Sequence, residues 1–392
     1  MSQTALERLL GDEAARQREF PICRRKIYFA HAAVGPLSKR VTDAMRHYLE
    51  RASEEPQDFD ALAAQMEEVR ATAARFIGAE TGEVALLGPT SLGLSLVANG
   101  IDWRAGDQVV CYGDDYPAIV YPWLELGRRG VELVYLQSET PGVITPGKVE
   151  AALTKRTRLV ALASANFLTG YCPDLEAIGR ILRERGILFA VDGIQTIGAF
   201  PFPAAAVDFM SGDSHKWLLG PETAGIVLVK KERLAELRPT LIGGSNVVAP
   251  NNIAQREIAF VPGAQRYEPG AMNYAGLFGL KAALDLQMEF GMETIADRLR
   301  QLKRAAVERL QSLGCIILPP AEGPNLSSIT TFSHPATDSA RLVRALAAAG
   351  VIASLRFDRA GKSYVRISPH FYNTLGEVER MIEVLEQTLK AR

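Results

Sequence analysis

Short apolar runs broken by glycine, proline and charged residues dominate the middle of the chain. They lie at Glu83–Leu87, Gln108–Tyr112, Val131–Leu136, Arg158–Ala165, Ile187–Val191, Val207–Met210 and Ala224–Val229. Runs of this length with such boundaries predict buried strands. Helical spacing separates several of them, from Thr90 to about Ala98, Lys148 to Leu153 and Leu175 to Arg185. Alternating strands and helices predict an α/β fold with a largely parallel sheet. Upstream, residues 4–19 predict a surface helix, Ile27–Pro36 an extended piece ending in a turn, and residues 38–53 and 60–76 two further helices. Downstream, one long helical pattern over residues 274–313 leads into a mixed region. There, strand runs at Cys315–Leu318, Ser327–Phe332, Val351–Leu355 and Tyr364–Ser368 mix with helical stretches at 338–349 and 376–390, the make-up of an α+β layer.

A length of 392 residues suffices for two domains and a large core. Hydrophobic residues make up 47% and charged residues 23%, ordinary for a globular protein. A net charge of −1 argues against a nucleic-acid surface or a polybasic membrane patch. Cys23, Cys111, Cys172 and Cys315 are scattered without metal-ligand spacing, which predicts reduced thiols and neither disulfides nor a metal site. The first twenty residues are charged throughout, and no apolar run approaches the roughly 18 residues of a membrane span. A cytoplasmic protein is expected.

The chemistry concentrates between Ile187 and Val229. One apolar run ends at Asp192, with Gln195 three residues on; the next leads into Ser211-Gly212-Asp213-Ser214-His215-Lys216. Acid and lysine thus fall at strand ends, where open α/β sheets build sites. Pyridoxal phosphate (PLP) chemistry needs such a pair: an amine to hold the cofactor aldehyde and a carboxylate to keep the ring nitrogen protonated. Trp217-Leu218-Leu219 after the lysine sets it among apolar neighbours, unlike a charge on an exposed face.

AVDGIQTIG followed by SHKWLLGPETAGIVLV resembles the signature of the class V aminotransferase family of fold-type I PLP enzymes. That family includes cysteine desulfurases, selenocysteine lyases, isopenicillin N epimerase-like proteins, kynureninases and several aminotransferases. The resemblance implies a large PLP-binding domain with a mainly parallel sheet of the seven-stranded type, and a small C-terminal α+β domain. The corresponding division is an N-terminal segment 1–25 packing on the small domain, a large domain 26–270, and a bridging helix with the small domain over 271–392.

Site roles follow from the same resemblance. Lys216 carries PLP and Asp192 faces its ring nitrogen; Tyr116 stacks on the ring. Asn166 and Gln195 reach the phenolic oxygen from opposite sides. Thr90 and Ser91, which by themselves also read as helix caps, map onto the phosphate-binding turn, joined by His215 and Ser214. Asp213 would repel a phosphate, so it is expected to point elsewhere or to pair with a cation. In SYVRISPHFYNT, Arg366 grips the substrate carboxylate, Arg356 is a second candidate, and His31 stands at the substrate pocket where the family usually has Asn. Leu241–Ser245 and Arg266–Asn273 resemble loops that complete a partner's site in a homodimer, with Ala271 in place of the usual phosphate-binding Thr.

Desulfurases carry a nucleophilic cysteine near the C-terminus, and FDRAGKSYV between Arg356 and Arg366 has none. An aminotransferase acting on an amino acid is therefore expected first. A Cys-independent lyase (C–S or other β-elimination) or an epimerase is the alternative. A nicotinamide-dependent oxidoreductase would require a GxGxxG turn, which is absent. A non-catalytic relative of the PLP fold remains a further reading.

Overall fold

A computed structural model of the chain describes residues 4–249, 253–319 and 321–391; residues 1–3 of the expected N-terminal segment lie outside it. The first helical stretch forms two helices, α1 (Ala5–Gly11) and α2 (Glu13–Glu19). Asp12 divides them: its backbone is extended and its carboxylate caps Ala15 of the second. Strand β1 (Ile27–Tyr28) follows, then α3 (Lys39–Glu54) and α4 (Phe59–Ile77).

The central part runs β2 (Val84–Ala85), α5 (Thr90–Gly100), β3 (Gln108–Tyr112), α6 (Pro117–Leu124), β4 (Glu132–Leu136), α7 (Pro146–Ala152) and β5 (Thr157–Ala163). It continues through α8 (Leu175–Glu184), β6 (Leu188–Asp192), β7 (Phe209–Asp213) and β8 (Gly225–Val229). These strands form one seven-stranded sheet in the order β2-β8-β7-β6-β5-β3-β4. All neighbours are parallel except β8, which runs against both β7 and β2. Only a short loop joins β7 to β8, too little for the crossover that a parallel return requires. Both faces of the sheet are covered, which is why its strands read as unbroken apolar runs. Val110, Val160, Phe189 and Met210 pack on one side, and Val109, Leu159, Leu188 and Phe209 on the other.

The register sets Ala163 of β5 beside Asp192 of β6, and Asp192 beside Ser211 of β7. The C-terminal ends of three strands therefore meet at one edge, and the loops after them share one crevice. Helix α5 lies close over β7 because Gly93 offers no side chain; a Cβ there would collide with the Ser211 hydroxyl and Val227. Its N-terminus is thereby brought to the same edge.

The expected single helix over 274–313 is two, α9 (Tyr274–Phe290) and α10 (Met292–Ser312). Gly291 separates them at φ 81°, a left-handed backbone setting that favours glycine. The C-terminal part adds β9 (Ile316–Ile317), β10 (Thr330–Ser333), α11 (Ser339–Ala348), β11 (Val351–Ile352), β12 (Ser354–Phe357), β13 (Ser363–Ile367) and α12 (Leu375–Lys390). Four of these strands make an antiparallel sheet ordered β12-β13-β10-β9. Strand β1 pairs in parallel with β11, and Phe29 enters the core built by Leu302, Phe332 and Val365. A turn at residues 31–33 follows Phe29 closely. No helix among the described residues is long and apolar enough to cross a membrane.

Candidate active site

A cavity of about 690 Å³ opens where the strand ends of the central sheet face β12 and β13. Its floor is Asp192, 3% exposed, whose Oδ1 accepts the Ile194 backbone N–H at 3.0 Å. Burial pushes this carboxyl above its ordinary value, against the opposing pull of the Lys216 and His215 charges.

Lys216 comes from the β7–β8 loop, which is folded tightly back on itself. Ser214 Oγ donates to the Pro221 carbonyl at 2.5 Å, and Gly220 N–H donates to the Ser214 carbonyl. Leu219 and Thr223 both adopt positive φ, 58° and 61°, a concentration of backbone strain typical of functional loops. The lysine is 7% exposed, its Nζ 5.2 Å from the centroid of the Tyr116 ring. Burial lowers its amine to about 8; the Arg366 and Arg356 charges act the same way, while Asp192 and Asp213 oppose them. Tyr116 itself is braced edge-on by Phe167, ring centroids 5.6 Å apart.

At one end of the cavity lies the start of α5. Neither Thr90 nor Ser91 caps it; Pro89 holds the cap position and contributes no side-chain bond. The first-turn N–H groups of a helix have no intrahelical acceptor and suit an anion. Thr90 Oγ1 accepts the Asp213 N–H at 2.9 Å, which ties α5 to β7, and both Thr90 and Ser91 line the cavity. Asp213 is turned to its own loop: its Oδ2 accepts both His215 Nδ1, at 2.8 Å, and the Thr223 N–H. With Nδ1 so engaged, Nε2 of His215 is the nitrogen free for a ligand. Ser214, expected beside the phosphate, instead bonds inside its own loop and does not line the cavity, because its hydroxyl is needed to close the turn.

Two arginines also line the cavity. Arg366, on β13, is 1% exposed; Nη1 donates to the Phe167 carbonyl at 2.5 Å, while Nε and Nη2 have no partner among the described residues. Burial, then the neighbouring Arg356 charge, bring its guanidinium down to about 9. Arg356, on β12, lines the same space.

Three further expectations change in detail. Gln195 lies in the cavity wall, but its amide is held at both ends, Nε2 donating to the Ala32 carbonyl and Oε1 accepting from Trp217 Nε1. Asn166 borders an adjoining cleft, its Oδ1 occupied by the Leu168 and Thr169 N–H groups of its own turn. His31 does not reach the pocket. It is wholly buried, with Nδ1 against the Ser368 carbonyl at 2.8 Å and Nε2 against the Tyr372 hydroxyl at 2.7 Å. Burial holds that imidazole well below its usual pKa, hence neutral. The sequence reading missed Asp115, whose carboxyl is pushed up to about 7 by burial and the charge of Asp192; the only signal was its place before Tyr116.

A buried amine of low pKa, an acid facing it, an uncapped helix start and an orphaned guanidinium together fit PLP and an amino acid. The amine makes cofactor capture pH-dependent. Apoprotein mixed with PLP should take it up at a rate that rises with pH as Lys216 loses its proton. The rate should level off above about 8, not about 10.5, because burial holds the Lys216 amine that far below the ordinary lysine value. Stopped-flow absorbance measures it, and a rate still climbing at the upper value would contradict the assignment.

A model of the class-V aminotransferase family matches residues 27–381. A probable cysteine desulfurase of Methanothermobacter thermautotrophicus is 27% identical over 394 residues, 95% of this chain and 96% of that one. The apo cysteine desulfurase from Thermococcus onnurineus NA1 superposes with a TM-score of 0.89 at 23% identity, covering 97% of this chain and 98% of its own. A C-DES variant with glycine covalently linked to the PLP cofactor superposes with a TM-score of 0.85 at 20% identity, covering 94% and 98%. These likenesses agree on the fold found here.

Proposed function

The chain belongs to the class-V aminotransferase family of PLP enzymes, and from that premise we propose that it is an aminotransferase acting on an α-amino acid. The observation that supports this reading is the meeting of Lys216, Asp192 and Arg366 on one cavity. PLP, when bound, supplies an electron-withdrawing ring that stabilises negative charge at the substrate Cα. Asp192 offers the buried carboxylate that keeps a ring nitrogen protonated. Ser91 and the α5 N-terminus offer donors to a phosphate, and His215 lines the same cavity. Arg366 presents two unused donors on one guanidinium, the arrangement a carboxylate accepts in bidentate fashion. Lys216, with an amine near 8, holds and returns a proton close to neutral pH. Transamination needs one mobile base of this kind, and Lys216 is the one lysine among the residues lining the cavity.

A Cys-independent β-elimination is the second reading, favoured by the cysteine desulfurase names of the relatives. A persulfide route is not proposed, since no cysteine lines the cavity among the described residues. Cys111 packs in the central core, Cys315 in the C-terminal core, Cys172 borders another cleft and Cys23 contacts Arg16. All four thiols are pushed up to about 11 or 12, chiefly by burial, which suppresses the nucleophilic thiolate. Incubating the PLP-loaded protein with a panel of amino acids separates the readings. Keto acid with the amine form of the cofactor supports transamination; pyruvate with ammonia or sulfide supports elimination and overturns the first reading.

The reading includes a homodimer with shared sites. The exposed Leu241, Ile242 and Ile258 lie on or near the loops expected to reach a partner, and they favour burial against a second copy.

A further inference from the structure

Strands β12 and β13 pair antiparallel, with Ser354 opposite Arg366 and Arg356 opposite Tyr364. Side chains alternate along each strand, so residues 354, 356, 364 and 366 share one face. The two arginines are diagonal neighbours on that face, a spacing of about 7–8 Å between such positions. Both enter the Lys216 cavity.

Neither arginine forms an ion pair among the described residues. Arg366 donates to the Phe167 carbonyl, and Arg356 donates at 3.1 Å to the carbonyl of Leu355 beside it. A fully buried cation and a half-buried one thus stand side by side without a carboxylate. Such an arrangement is unfavourable unless a ligand brings the missing negative charge. The Nε and Nη2 groups of Arg366 match the two oxygens of one carboxylate, which leaves Arg356 unmatched. A substrate with a single acid group would therefore satisfy one cation and strand the other.

Resting on the amino-acid reading above, we propose that Arg356 selects substrates with a second acidic group on the side chain, the α-amino dicarboxylates. Arg366 takes the α-carboxylate and Arg356 the distal one. The two cations then define a specificity that a neutral or thiol side chain does not meet.

Calorimetry on the PLP-loaded protein with two unreactive acids, succinate and propionate, tests this without turnover. Succinate is expected to bind at least tenfold more tightly than propionate. In Arg356→Gln that preference disappears while propionate affinity stays as it was; Arg356→Lys restores part of it, and Arg366→Gln weakens both acids. Equal binding of the two acids by the parent protein overturns the proposal. So does an Arg356→Gln variant that weakens both acids by one factor, since Arg356 would then grip the same carboxylate as Arg366. Loss of cofactor affinity in that variant with succinate binding intact also overturns it, placing Arg356 on the cofactor. Failure of the underlying reading looks different: after incubation with PLP and gel filtration the parent protein would retain no cofactor absorption.

Discussion

Lys216→Ala is expected to lower turnover by roughly 10⁴-fold while leaving the chain folded. The lysine amine is both the anchor for the cofactor and the base nearest the substrate, so one truncation removes two functions. Its Nζ donates no hydrogen bond within the protein among those described, and burial already opposes its charge. The apoprotein of the variant should therefore melt no lower than the parent. Its stability profile should also change with pH in a defined direction. Burial brings Lys216 to about 8 in the folded chain, against an ordinary lysine value of 10.5. Between those values the unfolded chain holds more protons, so stability rises with pH; below about 8 the full penalty, on the order of 3 kcal/mol, is present. The variant lacks this segment of the curve. Steady-state rates and melting curves across pH check both statements, and a small exogenous amine should restore part of the rate. Full activity in the variant would remove Lys216 from the chemistry.

Arg366→Gln is expected to raise KM for the amino acid by about 100-fold or more, with a smaller fall in kcat. Two hydrogen bonds between charged groups are lost, each contributing about 1.5–3 kcal/mol, and about 1.4 kcal/mol corresponds to tenfold in affinity. The glutamine fills much of the same space without the charge. It also removes two buried donors that lack partners and the repulsion with Arg356. Apoprotein stability should accordingly hold or increase, a pattern of function maintained against stability. An unchanged KM would contradict the carboxylate role.

Much of the fold was legible because buried parallel strands leave a simple trace. Gln108–Tyr112 is the observed β3 residue for residue, since both of its faces are covered and every position is buried. Asp192 falls at the end of such a run, whereas Lys216, three residues past β7, is singled out only by its neighbours His215, Trp217 and Leu218. Where the reading failed, the deciding contact lay far away in sequence or in backbone geometry. The pairing of Ile27–Tyr28 with Val351–Ile352 has no local signal. The break at Gly291 depends on a positive φ that helical periodicity does not report. His31 was placed at the pocket by its position in a motif, whereas Ser368 and Tyr372, over three hundred residues on, bind its ring in the core. Ser214 was likewise taken for a ligand contact although its hydroxyl closes the lysine loop on Pro221. The shared face of Arg356 and Arg366 follows from strand register, which the intervening loop sequence does not disclose.

One buried amine joins fold and chemistry here, and peptide mapping after borohydride reduction of the PLP-loaded protein interrogates it directly. The expected result is a phosphopyridoxyl group on the peptide containing Lys216 and on no other lysine, including Lys303, which is also buried. An unmodified Lys216, or label spread over surface lysines, would contradict it.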